Sequence, residues 1–545
     1  MIADEIKNLI RGDLSLDDSD LKKHSRDASL LEVRPKAVVY PKDSEDIKKL
    51  VGWVSENKDK DPSLSLTARS AGSDMSGGPL NESIILDVMR YMNKIHEVGS
   101  DYAVTDPGVY YRDFEAEVAK KDLLFPSYPA SRNMCAMGGI IANNAGGEKS
   151  LIYGKTEKYV SEMRVVLSDG NEYFFKPLTV RELEAKKSQQ DFEGSVYRSI
   201  YDLIEANYDV IQRSKPDVSK NSAGYYLWNV WDRKTFDLTK LFTGSQGTLG
   251  MITRVKIKLV KPHKNSVVLV VFLKDLEPLG DVVVSTLKYK PTSLESFDDR
   301  SFSIAMKFLP QLVGQLKGNL VSLFFKFIPE MLMVLTGGLP KLVLIAEFSG
   351  DDGKVILETV RKADIEIREK FKLKTRVITN KSEADKYWAV RRESFSLLRK
   401  HSGSRHTAPF IDDVIVHPRQ LPEFLPRLST LIEQYPALTY TIAGHAGDAN
   451  FHVIPLMDFK NAANRKIISE LSVKVYDLVA EMKGSITAEH NDGIVRTPYL
   501  SKMYSPEIIE LFRKTKEIFD PQNIFNPGKK VGGSEEYLMA HIVTE

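Results

Sequence analysis

The sequence predicts an α+β protein of two mixed domains, and three observations carry that reading. Three glycine-rich loops, RSAGSDMSGGP, CAMGGIIANNAGG and TGSQGTLG, each lie beside strand-like text, all before residue 251. Beyond Pro262 the pattern restarts as two strand-helix-strand units able to share one antiparallel sheet. The chain then closes on two helical stretches, around 466–482 and 505–518. At roughly 100–200 residues per domain, 545 residues allow about three structural units. Apolar residues at 42% and charged residues at 28% match an ordinary globular composition.

The elements follow in order. Residues 1–32 are polar and acidic and read as a helical N-terminal extension. The first domain spans 33–262. In it KAVVYP reads as a strand and SEDIKKLVGWVSEN as a helix, with Ser44 placed to cap it. Ile47, Leu50, Val51 and Val54 recur there at the spacing of one buried face. SIILDV is a strand, and MRVVLSDGNEYFF is a hairpin turning at Asp169-Gly170. MITRVKIKLV alternates as a half-buried strand does. The second domain, 263–495, holds NSVVLVVFL, DLEPLGDVVVSTLKYK and PTSLESFD as one unit. KLVLIAEFS, DDGKVILETVRKADIEIREKF and TRVITN form the other. Residues 496–545 read as a segment returning to the first domain.

Composition excludes several functions. Lys+Arg exceeds Asp+Glu by 76 to 74, so no net field draws the chain onto nucleic acid. The one cysteine, Cys135, rules out an internal disulfide, a cysteine-held iron–sulfur cluster and a Cys-type zinc site. Any metal must use nitrogen and oxygen ligands. The first twenty residues carry acids and lack the apolar core of a secretory leader, which leads to an expectation of a cytoplasmic protein. The greasiest stretch, 319–340, is broken by Lys326, Pro329 and Glu330, short of the roughly 20 apolar residues of a spanning helix. The whole apolar insert, 303–340, has three readings: core packing, a homodimer contact, or peripheral docking on a membrane with Lys307, Lys317 and Lys326 toward headgroups.

Glycines let a backbone turn its N–H groups toward an anion and approach it closely. Neither of the first two loops is GxGxxG or GxxxxGK[ST], so neither a Rossmann site nor a P-loop is supported. One such loop alone reads equally as a tight turn. Farther on, TYTIAGHAGDANFHVIPLM reads as strand, tight loop, strand. If that hairpin is symmetric about the midpoint of His445 and His452, the two imidazoles face one another, close enough to share one metal ion. GSITAEHNDG adds Glu489 and His490. Spacing alone also allows coincidence.

In order, RSAGSDMSGG, PASRNMCAMGGIIANNAGG with YGKT behind it, and GSQGTLGMIT resemble the flavin domain of the vanillyl-alcohol-oxidase/PCMH flavoprotein superfamily. GHAGDANFH, TAEHNDG and FDPQNIFNPGK narrow the resemblance to its FAD-linked D-2-hydroxy acid dehydrogenases, the D-lactate, glycolate and D-2-hydroxyglutarate group. It covers roughly residues 30–530 and implies a PCMH-type FAD domain of two subdomains, with an α+β cap domain. FAD would be held by Arg69, Ser70, Ala71, Gly72, Ser73, Asp74, Met75, Ser76 and Gly77. Pro129, Gly138, Gly139, Asn143, Ala145, Gly146 and Gly147 would line the other side, Gln246 would also contact the cofactor, and Gly250 and Ile252 would approach the adenine end. The first loop has no His, so the FAD is expected to be non-covalent. The family usually has Glu where Gln246 stands.

By the same resemblance His445, His452 and Glu489 would bind a divalent metal (Zn, Mn or Fe), and His490 would be the general base. Arg391 of WAVRRES would bind the substrate carboxylate, with Arg392 the near alternative, and Asn450 would also face substrate. Ile411 stands where hydroxyglutarate-oxidising members place a Lys, which argues against a dicarboxylic substrate and leaves D-lactate as the expected acid. Ala449 and Asn491-Asp492 depart from the family pattern; Asp492 could stand beside the metal or raise the pKa of His490. Electrons would pass to an external acceptor: a quinone, a cytochrome, an electron-transfer flavoprotein or an iron–sulfur subunit. The rival readings are an alkyl-transferring ether-lipid synthase-like enzyme and a non-catalytic flavin-binding subunit.

Overall fold

The computed structural model describes residues 2–299, 303, 338–400, 405–436 and 438–544. The readings of the apolar insert fall on 304–337, including Lys307, Lys317 and Lys326, and lie outside the described residues. Among the described residues no helix is long and apolar enough to cross a membrane.

The first half of the chain makes a two-stranded ribbon, Leu178–Thr179 with Thr235–Phe236, and two larger sheets. One runs Asp13–Ser15, Ala37–Tyr40, Ile84–Asp87, Leu66–Arg69, with parallel pairing around the strand Ile84–Asp87. The N-terminal extension is therefore not helical throughout. Between the helices Ile2–Leu9 and Asp18–His24 it adds an antiparallel edge strand, Asp13–Ser15, onto Ala37–Tyr40. The helix Ser44–Asn57 buries Ile47, Leu50, Val51 and Val54, each worth about 1.5–3 kcal/mol when fully withdrawn from water. Its cap is Asp43 rather than Ser44: the Asp43 carboxylate accepts from the Glu45 N–H, and Ser44 is already helical.

The second sheet is antiparallel, in the order Ile95–Val98, Tyr102–Thr105, Met251–Lys258, Val160–Val166, Glu172–Phe175. The last two strands are the hairpin turning through Gly170, whose φ of 78° favours glycine. Met251–Lys258 alternates buried and accessible residues, as its sequence pattern requires.

The cap sheet interlocks the two strand-helix-strand units. Its order is Lys374–Ile378, Asn265–Leu273, Leu342–Gly350, Ser293–Asp298, Thr439–His445, Asn450–Met457, His406–Thr407, and every pairing is antiparallel. Each unit is split by a strand of the other: Leu342–Gly350 lies between Asn265–Leu273 and Ser293–Asp298. The connecting helices are Leu279–Leu287 and Gly353–Phe371. The latter is capped by Asp352 and buries Ile356, Val360, Ala363 and Ile367. The short strand Val414–Ile415 joins this sheet through Phe451 and Asn450.

The closing segment packs against the first half. The Leu66 N–H donates to the Ile524 carbonyl, the Asn526 N–H donates back to the Leu66 carbonyl, and the Asn526 side-chain amide reaches the carbonyls of Gly78 and Gln246. These bonds close the first domain and hold two of the glycine loops in place.

Candidate active site

One cavity of about 1040 Å³ is lined by both halves of the chain. On the first-half side, Ser70, Ala71, Gly72, Ser73, Asp74, Met75 and Gly78 of the first loop form its wall. Gly138, Gly139, Asn143, Ala145 and Gly146 of the second loop and Gln246, Gly247, Gly250 and Ile252 of the third complete it. Four expected FAD contacts are turned away. The Arg69 guanidinium is buried against the carbonyl of Arg26. The Ser76 hydroxyl donates to Asp74, Gly77 packs on Leu31 and Ile494, and Gly147 is pressed against the Tyr128 carbonyl. Pro129 lines the wall as part of a run, Tyr128–Ala136, that takes in PASRNMCA, the start of the PASRNMCAMGGIIANNAGG motif; Cys135 lies in it, its thiol pushed up to about 12 by burial.

Gln246 joins the loops. Its amide donates to the Ser76 hydroxyl and to Asn143 Oδ1, and its carbonyl oxygen accepts from the Gly493 N–H at 2.8 Å. A glutamate there would lose both donations. Asp74 accepts from Asn143 Nδ2 at 2.6 Å and from the N–H groups of Ser76 and Gly78.

The glycines separate into two kinds. A methyl at Gly138 would meet Pro107 Cβ at 2.7 Å and Ser70 Oγ at 2.8 Å, so protein packing demands that glycine. A methyl at Gly139 would meet no protein atom nearer than Ser70 Cβ at 3.9 Å. Gly139 lies inside the helix Met137–Ala142, where glycine costs about 0.5–1 kcal/mol relative to alanine. Packing of the chain does not explain it, whereas a ligand lying flat on this wall does. The cradle fits FAD.

On the second-half side the cavity is lined by Arg391, Arg392, Thr441, Ala443, His452, Ile454, Glu489 and His490. The hairpin Thr439–His445/Asn450–Met457 differs from the symmetric expectation by two residues in register. His445 is opposite Asn450, and His452 is opposite Ala443. A single 3-10 turn, Ala446–Asp448, followed by Ala449 at φ 54°, sets that register. The two histidines become a diagonal pair on one face, with ring centroids 5.2 Å apart.

Three imidazoles converge on one oxygen. Nε2 of His445, His452 and His490 lie 3.1, 3.5 and 3.9 Å from Glu489 Oε1. Each ring is held from behind at Nδ1: His445 by Glu295 at 2.6 Å, His452 and His490 by the two oxygens of Asp412 at 3.1 and 2.7 Å. Asp413 also lies within ligand reach of His452, Glu489 and His490. Its Oδ2, however, accepts from the N–H groups of Glu489 and His490 and the Thr487 hydroxyl, and its Oδ1 from Asn450. Asp413 therefore shapes the loop. The second oxygen of Glu489 faces the Lys220 ammonium at 3.4 Å, which also pairs with Asp448 at 3.0 Å.

Negative charge is in surplus here. Glu295, Asp412, Asp413, Asp448 and Glu489 outnumber Lys155, Lys220, Arg391 and Arg496 packed with them. The imbalance falls on the rings. Burial disfavours the charged imidazole, yet Asp413 and Asp412 outweigh it and push His490 up to about 10. Glu295 likewise drives His445 to about 9 against its burial. Asp412 is held well below the carboxylate range: its burial is overcome by the His490 and His452 rings. The His445 and His452 ring nitrogens and a Glu489 oxygen, in a negative, buried setting, suit a divalent cation of the zinc, manganese or iron type, with the His490 ring beside them. Such an ion would take over the positive charge that ring protons otherwise supply.

The remaining expected residues are placed as follows. Arg391 lines the cavity and pairs with Glu295 at 3.2 Å; Arg392 pairs with both oxygens of Glu148 and lies over the Trp388 ring. Asn450 is fully buried, donates to Asp413 and to the Val414 carbonyl, and does not line the cavity. Ile411 is buried and also off the wall. Asp492 neither joins the cluster nor acts on His490, because its carboxylate accepts from Lys530 Nζ and the Gly224 N–H, both at 2.9 Å. Asn491 takes φ 71°, and its amide donates to the Gly244 and Asn143 carbonyls, tying the His490 loop to the glycine loops. Sequence reasoning missed Glu295, Asp412, Asp413, Lys220 and Glu148. The acidic pair Asp412-Asp413, directly after Ile411, was the one visible signal, and no spacing rule singles it out.

Comparisons with known proteins identify the two domains. Residues 35–173 match the FAD binding domain, and residues 262–530 match the FAD linked oxidases, C-terminal domain. The chain is 26% identical over 528 residues to a D-2-hydroxyglutarate dehydrogenase of Escherichia coli (strain K12), covering 95% of this chain and 50% of that protein. It therefore spans about half that relative's length. It is 25% identical to the glycolate oxidase subunit GlcD of Bacillus subtilis (strain 168), covering 97% of each chain. It is 26% identical to a D-lactate dehydrogenase of Archaeoglobus fulgidus, covering 91% of each. Among solved structures, p-cresol methylhydroxylase superposes with a TM-score of 0.68 at 16% identity, over 98% of this chain and 96% of that one, a likeness of fold.

Proposed function

We propose that this chain, which belongs to the FAD-linked PCMH-type flavoproteins, oxidises a D-2-hydroxy acid to the 2-keto acid, with D-lactate the expected substrate. The observation that carries the reading is the convergence of three imidazole Nε2 atoms on Glu489 Oε1 in the wall of the cavity that the glycine loops line.

Each residue then has a task. Arg391, already aligned by Glu295 at the cavity wall, binds the substrate carboxylate as a guanidinium fork. His445, His452 and Glu489 would hold a divalent cation, which would lower the pKa of the substrate hydroxyl. His490 Nε2 takes the hydroxyl proton, its Nδ1 being occupied by Asp412. FAD, when bound on the glycine wall, supplies the acceptor for the hydride that leaves Cα. Ala443 and Ile454 put apolar side chains on the wall that also carries His452 and His490, which suits an uncharged substrate side chain. With a single buried cysteine, this chain has no cluster of its own, so electrons leave to an external acceptor such as a quinone, cytochrome, electron-transfer flavoprotein or iron–sulfur subunit.

Anaerobic bleaching of the bound flavin tests the reading, with D-lactate, L-lactate, glycolate and D-2-hydroxyglutarate added separately. Bleaching by D-lactate and not by L-lactate is expected. A flavin left oxidised by all four acids would sink the proposal, and faster bleaching by D-2-hydroxyglutarate would overturn the choice of acid alone.

A further inference from the structure

Asp412 is fully buried and has no route to substrate, yet both of its oxygens are committed to the site. Oδ1 meets His452 Nδ1 at 3.1 Å, and Oδ2 meets His490 Nδ1 at 2.7 Å. The two rings hang from this one planar group nearly parallel, at 18°, with centroids 5.0 Å apart. Arg496 clamps the backbone on each side, donating to the carbonyls of Asp412 and Asn491. Asp413, at φ 68°, turns the chain so that consecutive carboxylates face different partners.

We propose that Asp412 is a shared positioning residue that sets the tautomer of a metal-ligand histidine and of the base together; the inference rests on the function proposed above. An ionised carboxylate only accepts hydrogen bonds, so both Nδ1 atoms must carry hydrogen. Each neutral ring is left with its lone pair on Nε2, the atom aimed at Glu489 Oε1. One side chain thereby orders a ligand that must coordinate and a base that must accept a proton. The carboxamide of Asp412→Asn, of the same shape, accepts at one atom and donates at the other. One of the two rings must then carry its hydrogen on Nε2, and either the ion or the base is compromised.

The test compares wild type with Asp412→Asn, each purified with FAD, chelated, and titrated with Co2+ while the visible ligand-field absorption and bound flavin are followed. Wild type takes up Co2+. In Asp412→Asn the flavin content and melting temperature are expected to hold, while Co2+ affinity falls about 10–100-fold, the usual effect of losing an outer-shell partner. Flavin reduction by D-lactate falls with it. An Asp412→Asn protein within twofold of wild type in both Co2+ affinity and reduction rate would overturn the inference and leave the proposed function standing. A wild type that takes up no Co2+ would overturn the metal reading and the inference with it. If the variant does not fold, 15N spectra of histidine-labelled, Zn2+-loaded wild type decide, with His490→Gln and His452→Gln identifying the signals. Nδ1–H on both rings supports the assignment, and Nε2–H on either overturns it.

Discussion

The two walls of the cavity are held by different physics. The glycine wall is kept in shape by a hydrogen-bond network, with Gln246 joining Ser76, Asn143 and the Gly493 N–H and one carboxylate, Asp74, accepting from Asn143, Ser76 and Gly78. The histidine wall is a packed set of charges in which Glu295, Asp412, Glu489 and Lys220 are each nearly or fully buried. At Gly139 the first wall has room for a methyl, no protein atom lying nearer than 3.9 Å. The second cannot lose a member without leaving a buried charge unmatched, so its residues are coupled. A cradle for a large planar cofactor needs shape, whereas a site that binds an ion and moves a proton needs balanced charge.

The largest contrast should come from the base. His490→Ala is expected to retain FAD, because no glycine-loop contact is removed, and to slow flavin reduction by D-lactate about 10²–10⁴-fold in single-turnover measurements. Reduction at the wild-type rate would remove His490 from the mechanism. Lys220→Met tests whether the charged wall acts as a unit. It strips the cation from between Asp448 and Glu489 and should cost the metal-free protein about 3–5 kcal/mol in urea unfolding, partly recovered by added divalent ion. A loss below 1 kcal/mol would mean that water, not Lys220, neutralises these acids.

A paired substitution sharpens the contrast on the glycine wall. Gly139→Leu should weaken FAD binding at least tenfold in fluorescence titration, while the apoprotein keeps or gains about 0.5–1 kcal/mol from better helix propensity. Gly138→Ala should instead destabilise the apoprotein by about 1–3 kcal/mol through its contact with Pro107. If both variants behave alike, the two glycines do not serve different ends. The smallest effect concerns the hairpin turn. Ala449→Gly relieves a left-handed alanine at φ 54° and should raise stability by about 1 kcal/mol or less, with turnover unchanged.

What the sequence disclosed follows from range. Ile47, Leu50, Val51 and Val54 mark their helix because the period is local, and Gly170 marks its hairpin for the same reason. The interlocking of the cap strands was hidden, since Leu342–Gly350 inserts between two strands that are neighbours in the chain. The hairpin carrying His445 and His452 was legible in kind, but its register depended on the φ of Ala449, which the residue type does not announce. His445, His452, Glu489 and His490 were found through motif resemblance. Glu295, Asp412 and Lys220 escaped because their partners lie far away in sequence; Lys220 meets Glu489 across 269 positions. Asp492 misled for the converse reason: next but one to His490 in the chain, it turns to Lys530.

The central claim is that both walls serve one reaction, in which the hydrogen on Cα of an acid held at the histidine wall reaches a flavin held at the glycine wall. Anaerobic stopped-flow reduction of the bound FAD with D-lactate and with D-lactate deuterated at C2 tests this directly. The account predicts complete bleaching in a single turnover, slowed severalfold by the deuterium and abolished by prior removal of divalent ions. Bleaching that ignores both the deuterium and the chelator would contradict it.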